Sequence, residues 1–529
     1  MIATGKKGKT ALTTPFGEAD GQRMFIKDSF VSFEHHSGWG GIATAGNDFA
    51  ARLLVGRKGS GKTVYLRRLR ASAADDSSNL AEEVQYEPPD TETIISFSRL
   101  FSDSESQLEW WAKLWKRSVL RSLASYAMAG ELAQHVDPKT LESLNEFANG
   151  KRGRLLRDFA APVATYRQMD EIVNTHHSRN SMVEYLQSNY WSDLETILSN
   201  LLRKSPPIFW FLDALDEHFE RSPRCWLKCQ EGLFYQCIQF MRSAHWNRLH
   251  LTVSLRDIVF ASMMRSEHRS RFAGDSHIRL LNWSHDSIKE FLKTKLENLD
   301  KRFFVGDRKK GRTVGNWLGV DTVVNLKRGI CEPIGQYLLR HTRLLPRDIV
   351  IMGNRLCGLI SRREDAQFDM EAEIRRHVHE AASVFGREQF RICANEIVSA
   401  YMPRCAAEAC RNVFVGSDDF TSLVAAELQA FVRSIGTDRF SRSKVDGVRS
   451  VAQEKFDCDV FSLMWRNGLI GYVDGSADNE KFIFYDYDSL NSFELPSEHR
   501  EYVFHPIVID ATGIESDGSN PVIPYIWIP

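Results

Sequence analysis

The sequence has no long apolar run. No window approaches the ~20 apolar residues of a membrane span, and none of secretory length follows the N-terminal Met-Ile-Ala-Thr-Gly-Lys-Lys-Gly-Lys. The expectation is therefore a cytoplasmic protein that does not enter a membrane. It also has no excess of one charge. The formal net charge of -1 argues against a globally cationic coat for nucleic acid and leaves only local basic patches to meet phosphate. Nine cysteines, an odd number, are scattered without a disulfide-like framework. Cys225 and Cys229 share a helical face at i, i+4, but no further Cys or His at finger-like spacing completes a zinc site, so they read as small buried thiols. Internal repeats and low-complexity tracts are missing as well.

The remaining composition is that of folded protein. With 529 residues, 43% hydrophobic and 26% charged, the chain exceeds what one core accommodates and implies two to four domains. Residues 1–35 read as an N-terminal lead-in, partly flexible, with Met24 to Phe33 ordered. Residues 36–283 alternate strand-like runs (Leu53 to Val55, Thr93 to Phe97, Ile208 to Leu212, Leu249 to Ser254) with amphipathic stretches such as Trp110 to Leu123. That alternation predicts an α/β fold with a parallel sheet, and the less periodic segment 128–189 predicts a helical insertion. Residues 284–384 read as a helical lid punctuated by Pro333 and Pro346. Residues 385–529 begin with helices and end in "LMWRNGLIGYV", the polar "DGSADNE", "KFIFYDYD" and "REYVFHPIVI". Helix, strand, turn and strand in that order predict a winged-helix-like region.

The most specific signal is "LLVGRKGSGKT" at 53–63, an apolar strand ending in three glycines, two lysines and an arginine. The pattern G-x-x-x-x-G-K-[ST] is filled by Gly56, Gly61, Lys62 and Thr63, between a strand and a helix as the motif requires. A triphosphate needs inward-facing backbone N–H groups, positive charge near its β and γ phosphates and a hydroxyl on Mg²⁺. Gly56, Lys58, Gly59, Ser60, Gly61, Lys62, Thr63 and Val64 form the expected phosphate-binding segment, with Lys62 as the charge and Thr63 as a metal ligand.

The second element is "PPIFWFLDALDEHF" at 206–219, in which an apolar strand delivers Asp213 to Mg²⁺. Just beyond, Asp216 and Glu217 are candidates to orient or deprotonate the attacking water, with Glu217 favoured. The bland alternative is a solvated acidic cap on a strand. The third element is Arg256, at the end of "LHLTVSLRDIVF". It reads either as a guanidinium near the γ-phosphate that aids catalysis, or as a surface arginine at a strand end.

Together "LVGRKGSGKT", "FWFLDALDE", "LTVSLRD" and "HTRLLPRDIVIMGNRL" resemble bacterial P-loop ATPases of the STAND and KAP-like groups, within the AAA-like branch. The resemblance covers most of 50–360; its first two motifs are specific to nucleotide binding. Ala214 stands where related chains often place Gly. The resemblance implies that Pro346 packs near the adenine and that Arg343 or Arg347 approaches the phosphates; the residues themselves show a proline interrupting a helix between basic residues. It also implies ATP and Mg²⁺ as cofactors, self-association, and a regulatory ATPase of a defence or stress system that controls a separate effector chain. The alternative is a DNA-handling loader or transposition regulator that binds duplex DNA through Arg439, Arg442, Lys444 and Arg449. Arg265, Arg269 and Arg271 are basic residues to which no trans-acting role is assigned.

Overall fold

A computed structural model describes residues 14–23, 51–102, 106–156, 164–213, 222–266, 277–306, 311–325, 330–362, 369–401, 420–475, 480–485, 493–516 and 524–525. The segment Met24 to Phe33 lies outside them, as do Asp216, Glu217, Arg269 and Arg271.

The strands β1 (Ala51–Gly56), β3 (Ile208–Asp213) and β4 (Leu249–Arg256) form the centre of a sheet, with β5 (Ile278–Leu281) at one edge and a short β2 (Leu80–Ala81) at the other. They make one all-parallel sheet in the order β2-β3-β4-β1-β5. Every residue of β3 and β4 is buried, the mark of a parallel sheet covered on both faces. Because side chains alternate along a strand, each strand feeds two cores. Leu53, Val55, Trp210, Leu212, Leu251 and Val253 pack into one, Leu54, Phe209 and Phe211 into the other. In register, Asp213 lies beside Ser254 on β4, and Gly56 lies beside Arg256 two residues further along that strand.

The first face is covered by helices between β2 and β3: α2 (Thr91–Leu100), α3 (Gln107–Ala129), α4 (Pro138–Ala148), α5 (Thr165–Thr175), α6 (Arg179–Gln187) and α7 (Tyr190–Lys204). The expected strand at Thr93 to Phe97 is therefore a helix. Asp90 caps it by accepting a hydrogen bond from the Glu92 N–H, and its apolar run is buried along one side. Residues 128–189 fall inside this helical layer, which begins earlier and ends later. After β3, α8 (Pro223–Met241) packs on α3 so closely that a Cβ on Gly232 would run into Trp111. Cys225, Cys229 and Cys237 are buried on α8.

The second face carries α1 (Lys62–Ala74) and, beyond α9 (Asp257–Arg265), the region that follows the sheet. There α10 (His285–Asn298), α11 (Val314–Leu318), α12 (Ile334–Arg340), α13 (Pro346–Ser361) and α14 (Met370–Glu396) are interrupted by an antiparallel pair, β6 (Thr322–Asn325) and β7 (Ile330–Pro333). The all-helical expectation for 284–384 misses that hairpin. Pro346 does not interrupt a helix but starts α13, where its missing N–H costs nothing.

In the last region helix α15 (420–435) precedes β8 (Arg439–Ser441), α16 (Arg442–Phe456), α17 (Val460–Arg466), β9 (Ile470–Asp474), β10 (Lys481–Phe484), β11 (Glu501–Phe504), α18 (Pro506–Thr512) and β12 (Pro524–Tyr525). The strands form a second sheet, ordered β12-β10-β9-β11-β8. Residues of this region share one buried cluster with α10 to α14.

Candidate functional site

In an open parallel sheet, ligands gather outside the carboxyl ends of strands whose connections leave in opposite directions. Here those strands are β1, whose chain proceeds toward β2, and β4, whose chain crosses to β5. The glycine-rich loop occupies that position. Gly59 and Gly61 adopt φ of +91° and +97°, a backbone region open to glycine and strained for other residues. Gly61 is also the N-cap of α1, and no side chain caps that helix. Its first-turn N–H groups and the positive end of its dipole therefore face the loop interior, as an anion requires.

The side chains converge on the same spot. Lys62 is buried and its Nζ donates to the carbonyl oxygens of Gly56 at 2.9 Å and Arg57 at 3.1 Å, which folds the ammonium into the loop. The Ser60 Oγ is buried without a hydrogen-bond partner among the described residues, while the Ser60 carbonyl accepts from the Trp283 indole at 3.0 Å. Thr63 Oγ1 donates to Asp213 Oδ2 at 2.6 Å, joining two residues 150 positions apart. Ser254 Oγ donates to Asp213 Oδ1, and the Tyr166 hydroxyl holds the Asp213 carbonyl oxygen at 2.9 Å. Asp213 is 4% exposed, so it is not a solvated cap on a strand. A buried lysine, a hydroxyl, a carboxylate and an uncapped helix start are a donor set that fits a magnesium-bound phosphate chain.

Arg256 is 3% exposed and lies beside Gly56 on the neighbouring strand, which removes the surface-arginine reading. Val64 is buried on α1 in the apolar core. The candidate bases Asp216 and Glu217 fall outside the described residues. A cavity of about 800 Å³ opens on the β2 side of Asp213, against Tyr166. Glu82, Glu87 and Glu131 line it against a single cation among the described residues, Arg167, so the balance of charge disfavours phosphate.

Contacts from later parts of the chain reach the loop. The Arg347 N–H donates to the Gly59 carbonyl at 3.4 Å, and a Cβ on Gly59 would lie 3.1 Å from the Arg347 Cβ, so α13 begins directly against the loop. Lys58 and Arg347 lie 3.4 and 3.8 Å from the Glu388 carboxylate on α14. Burial alone would raise the Glu388 pKa, but Arg343, Lys58 and Arg347 together hold it below the ordinary range. Arg57 donates to the Arg466 carbonyl at 3.2 Å. Arg343 is buried and bound to Asp348 at 2.7 Å and Glu388 at 2.9 Å, so it serves this junction and is turned from the role that resemblance implied. Arg265 is likewise occupied within the chain, 3.2 Å from Glu396 and over the Tyr401 ring.

Glu388 and Glu396 were not singled out in the sequence; each is one acidic residue among many on a helix, and only the fold shows which basic groups it meets. Of the four basic residues considered for duplex DNA, three are paired internally: Arg439 with Glu480 at 2.7 Å and with Glu501, Arg442 with Asp446 at 3.5 Å, and Arg449 with Asp459 at 2.7 Å. Among the described residues no helix is long and apolar enough to cross a membrane. Compared with known proteins, the chain matches no family model, no curated protein and no solved structure.

Proposed function

We propose that this chain is an ATP-binding and ATP-hydrolysing regulatory switch of the STAND/KAP-like kind, acting in a bacterial defence or stress system on a separate effector chain. The observation that carries the ATPase reading is the 2.6 Å contact between Thr63 and Asp213, made at the carboxyl edge of a parallel sheet beside Lys62. Bound ATP and Mg²⁺ would supply the cleavable phosphoanhydride and a cation that neutralises its charge. Lys62 and the first-turn amides of α1 would bind the phosphates, Thr63 and Asp213 would hold the metal, and Glu217 or Asp216 would take the proton of the attacking water.

The switch reading rests on where the loop is held. Arg57, Lys58 and Gly59 meet Arg466, Glu388 and Arg347, which belong to two later regions of the chain. In this reading α10 to α14 are the lid, and a ligand that reshapes the loop favours one arrangement of lid and C-terminal region over another. The test is equilibrium binding of a fluorescent ATP analogue with and without Mg²⁺, by the full chain and by Lys62→Ala. Undiminished affinity in the variant overturns the site. Hydrogen exchange in ATP against ADP then reads the switch: unequal protection at 343–347 and 463–468 supports it, and equal protection removes it.

The succession α15, β8, α16, α17, β9, β10 is compatible with a winged helix and supports the second reading, a DNA-handling ATPase. The internal pairing of Arg439, Arg442 and Arg449 weighs against it, because each pair would have to open to release a cation for phosphate. Stimulation of ATP hydrolysis by duplex DNA, falling steeply with salt, would reverse that order of preference.

A further inference from the structure

Away from the loop, three side chains converge from distant parts of the chain: His341 at the end of α12, His379 on α14 and Asp510 on α18. One nitrogen or oxygen from each lies within 4.8 Å of the others. Tyr337 organises both imidazoles. Its carbonyl oxygen lies 2.7 Å from His341 Nδ1, and its hydroxyl lies 3.0 Å from His379 Nε2. A ring nitrogen facing a carbonyl carries the proton, so His341 is protonated on Nδ1 and its Nε2 presents a lone pair. The His341 ring is 2% exposed. Its lone pair faces Asp510 Oδ2 across 3.7 Å. That oxygen is buried without a hydrogen-bond partner among the described residues, on a side chain only 10% exposed. Two acceptors facing each other inside a protein repel, and a cation between them turns the repulsion into attraction. The other carboxylate oxygen, Oδ1, lies 2.7 Å from His379 Nδ1.

We infer that His341 Nε2, His379 Nδ1 and the Asp510 carboxylate form a three-ligand site for a divalent transition metal of the zinc type, which fastens α12 and α14 to α18. Zinc bonds of about 2.0–2.2 Å to nitrogen and oxygen place tetrahedral ligand atoms about 3.3 Å apart. His379 lies 2.7 Å from Asp510 Oδ1 and His341 3.7 Å from Oδ2, and one ligand atom from each of the three residues lies within 4.8 Å of the others, so a turn of the carboxylate and side-chain adjustments draw the ligands in to seat the ion. The ion takes the place of the proton between His379 and Asp510. His379 then carries its hydrogen on Nε2 and donates it to the Tyr337 hydroxyl oxygen, so one tyrosine fixes the tautomers of both ligands. Two imidazoles and one carboxylate suit Zn²⁺ or Co²⁺ above Mg²⁺ or Ca²⁺, and they leave a fourth position for water. His379, 45% exposed, lies on the solvent side and provides the way in. The frame is set without the ion: Gly386 on α14 lets α18 approach where a Cβ would run into the Ile507 carbonyl oxygen.

The experiment is a titration of the full chain, stripped with a chelator, first with Co²⁺ and then with Zn²⁺. The expected result is one Co²⁺ per chain, the visible absorption of a four-coordinate ion, displacement by Zn²⁺, and a higher melting temperature with metal. His379→Ala changes the half-exposed ligand and is expected to weaken Zn²⁺ binding about 100-fold or more; Tyr337→Phe keeps the ligands and is expected to weaken it about tenfold. Absorption of a six-coordinate solvated ion in the unaltered chain would overturn the site without recourse to any variant. So would Zn²⁺ affinity that survives in the His379→Ala, Asp510→Asn double variant.

Discussion

The Thr63 hydroxyl donates to the Asp213 carboxylate at 2.6 Å, so the two groups assigned to the metal are bonded to each other. With Thr63 on the metal and Asp213 acting through its water shell, the rest of the metal's shell comes from phosphate oxygens and water, so Mg²⁺ and nucleotide are expected to bind cooperatively. Asp213→Asn should abolish the Mg²⁺ dependence of ATP-analogue affinity while leaving metal-free binding within a few-fold. Titrations with and without Mg²⁺ check this, and an unchanged Mg²⁺ effect would place the metal elsewhere.

Glu217→Gln keeps size and removes the carboxylate proposed as the base. It is expected to bind ATP as before and to lower turnover about 100-fold or more, within the range that general-base catalysis contributes. Single-turnover hydrolysis is the measurement. If Glu217→Gln is unaffected and Asp216→Asn is slow, the proton goes to Asp216.

Glu388 holds Lys58 and Arg347 and shares Arg343 with Asp348. Glu388→Gln removes the charge that joins the glycine-rich loop to α14. Stability should fall by roughly 1–2 kcal/mol, since Arg343 keeps its fully buried partner Asp348. Nucleotide dissociation should quicken, because the loop loses a support on its outer side. Stopped-flow release of a fluorescent nucleotide reads this, and an unchanged rate would remove the clamp from the switch.

Glu396 gives the molecule a defined acid sensitivity. Burial would raise its pKa, yet Arg466 and Arg265, with a hydrogen bond from Asn467, lower it from 4.5 to about 2. A carboxyl depressed in the folded state contributes stability that is present above its unfolded pKa and lost as pH falls toward the folded value. The window here runs from 4.5 down to about 2, and the contribution is roughly 3 kcal/mol. Glu396→Gln should lose most of it at neutral pH and show a flatter decline on acidification. Denaturant unfolding at stepped pH measures both slopes, and parallel slopes would refute the assignment.

The parts of this fold legible in the sequence are those where local chemistry and burial agree. Ile208 to Leu212 is a short continuous apolar run that stops just before Asp213, and Leu249 to Ser254 alternates Leu249, Leu251 and Val253 with His250, Thr252 and Ser254, of which Ser254 meets Asp213. Thr93 to Phe97 is equally apolar but helical, because five such residues fit a buried strand or one side of a buried helix alike. The deciding signal was Asp90 followed by Glu92, a helix start three residues upstream of Thr93. The β6/β7 hairpin was hidden in a stretch dominated by helix periodicity, although Thr322, Val323 and Val324 are β-branched. Lys62, Thr63 and Asp213 are singled out by their motifs, and the fold brings Thr63 and Asp213 into contact. Glu388, Glu396, Tyr337 and the three histidine and aspartate ligands carry no local pattern, because their partners lie on other elements.

Strand β4 works as a ruler. Asp213 stands level with Ser254 and Gly56 with Arg256, so the acid stops two rungs short of the point where the loop departs, about 6.6 Å along the strand direction. That interval is dictated by ladder hydrogen bonding alone, and an inserted or deleted residue within β4 would shift it and turn alternate side chains to the opposite face. The long helical excursion between β2 and β3 meets that interval through Tyr166, whose hydroxyl holds the Asp213 carbonyl oxygen; the spacing at the carboxyl edge of the sheet is set by the strands and not by the length of the excursion.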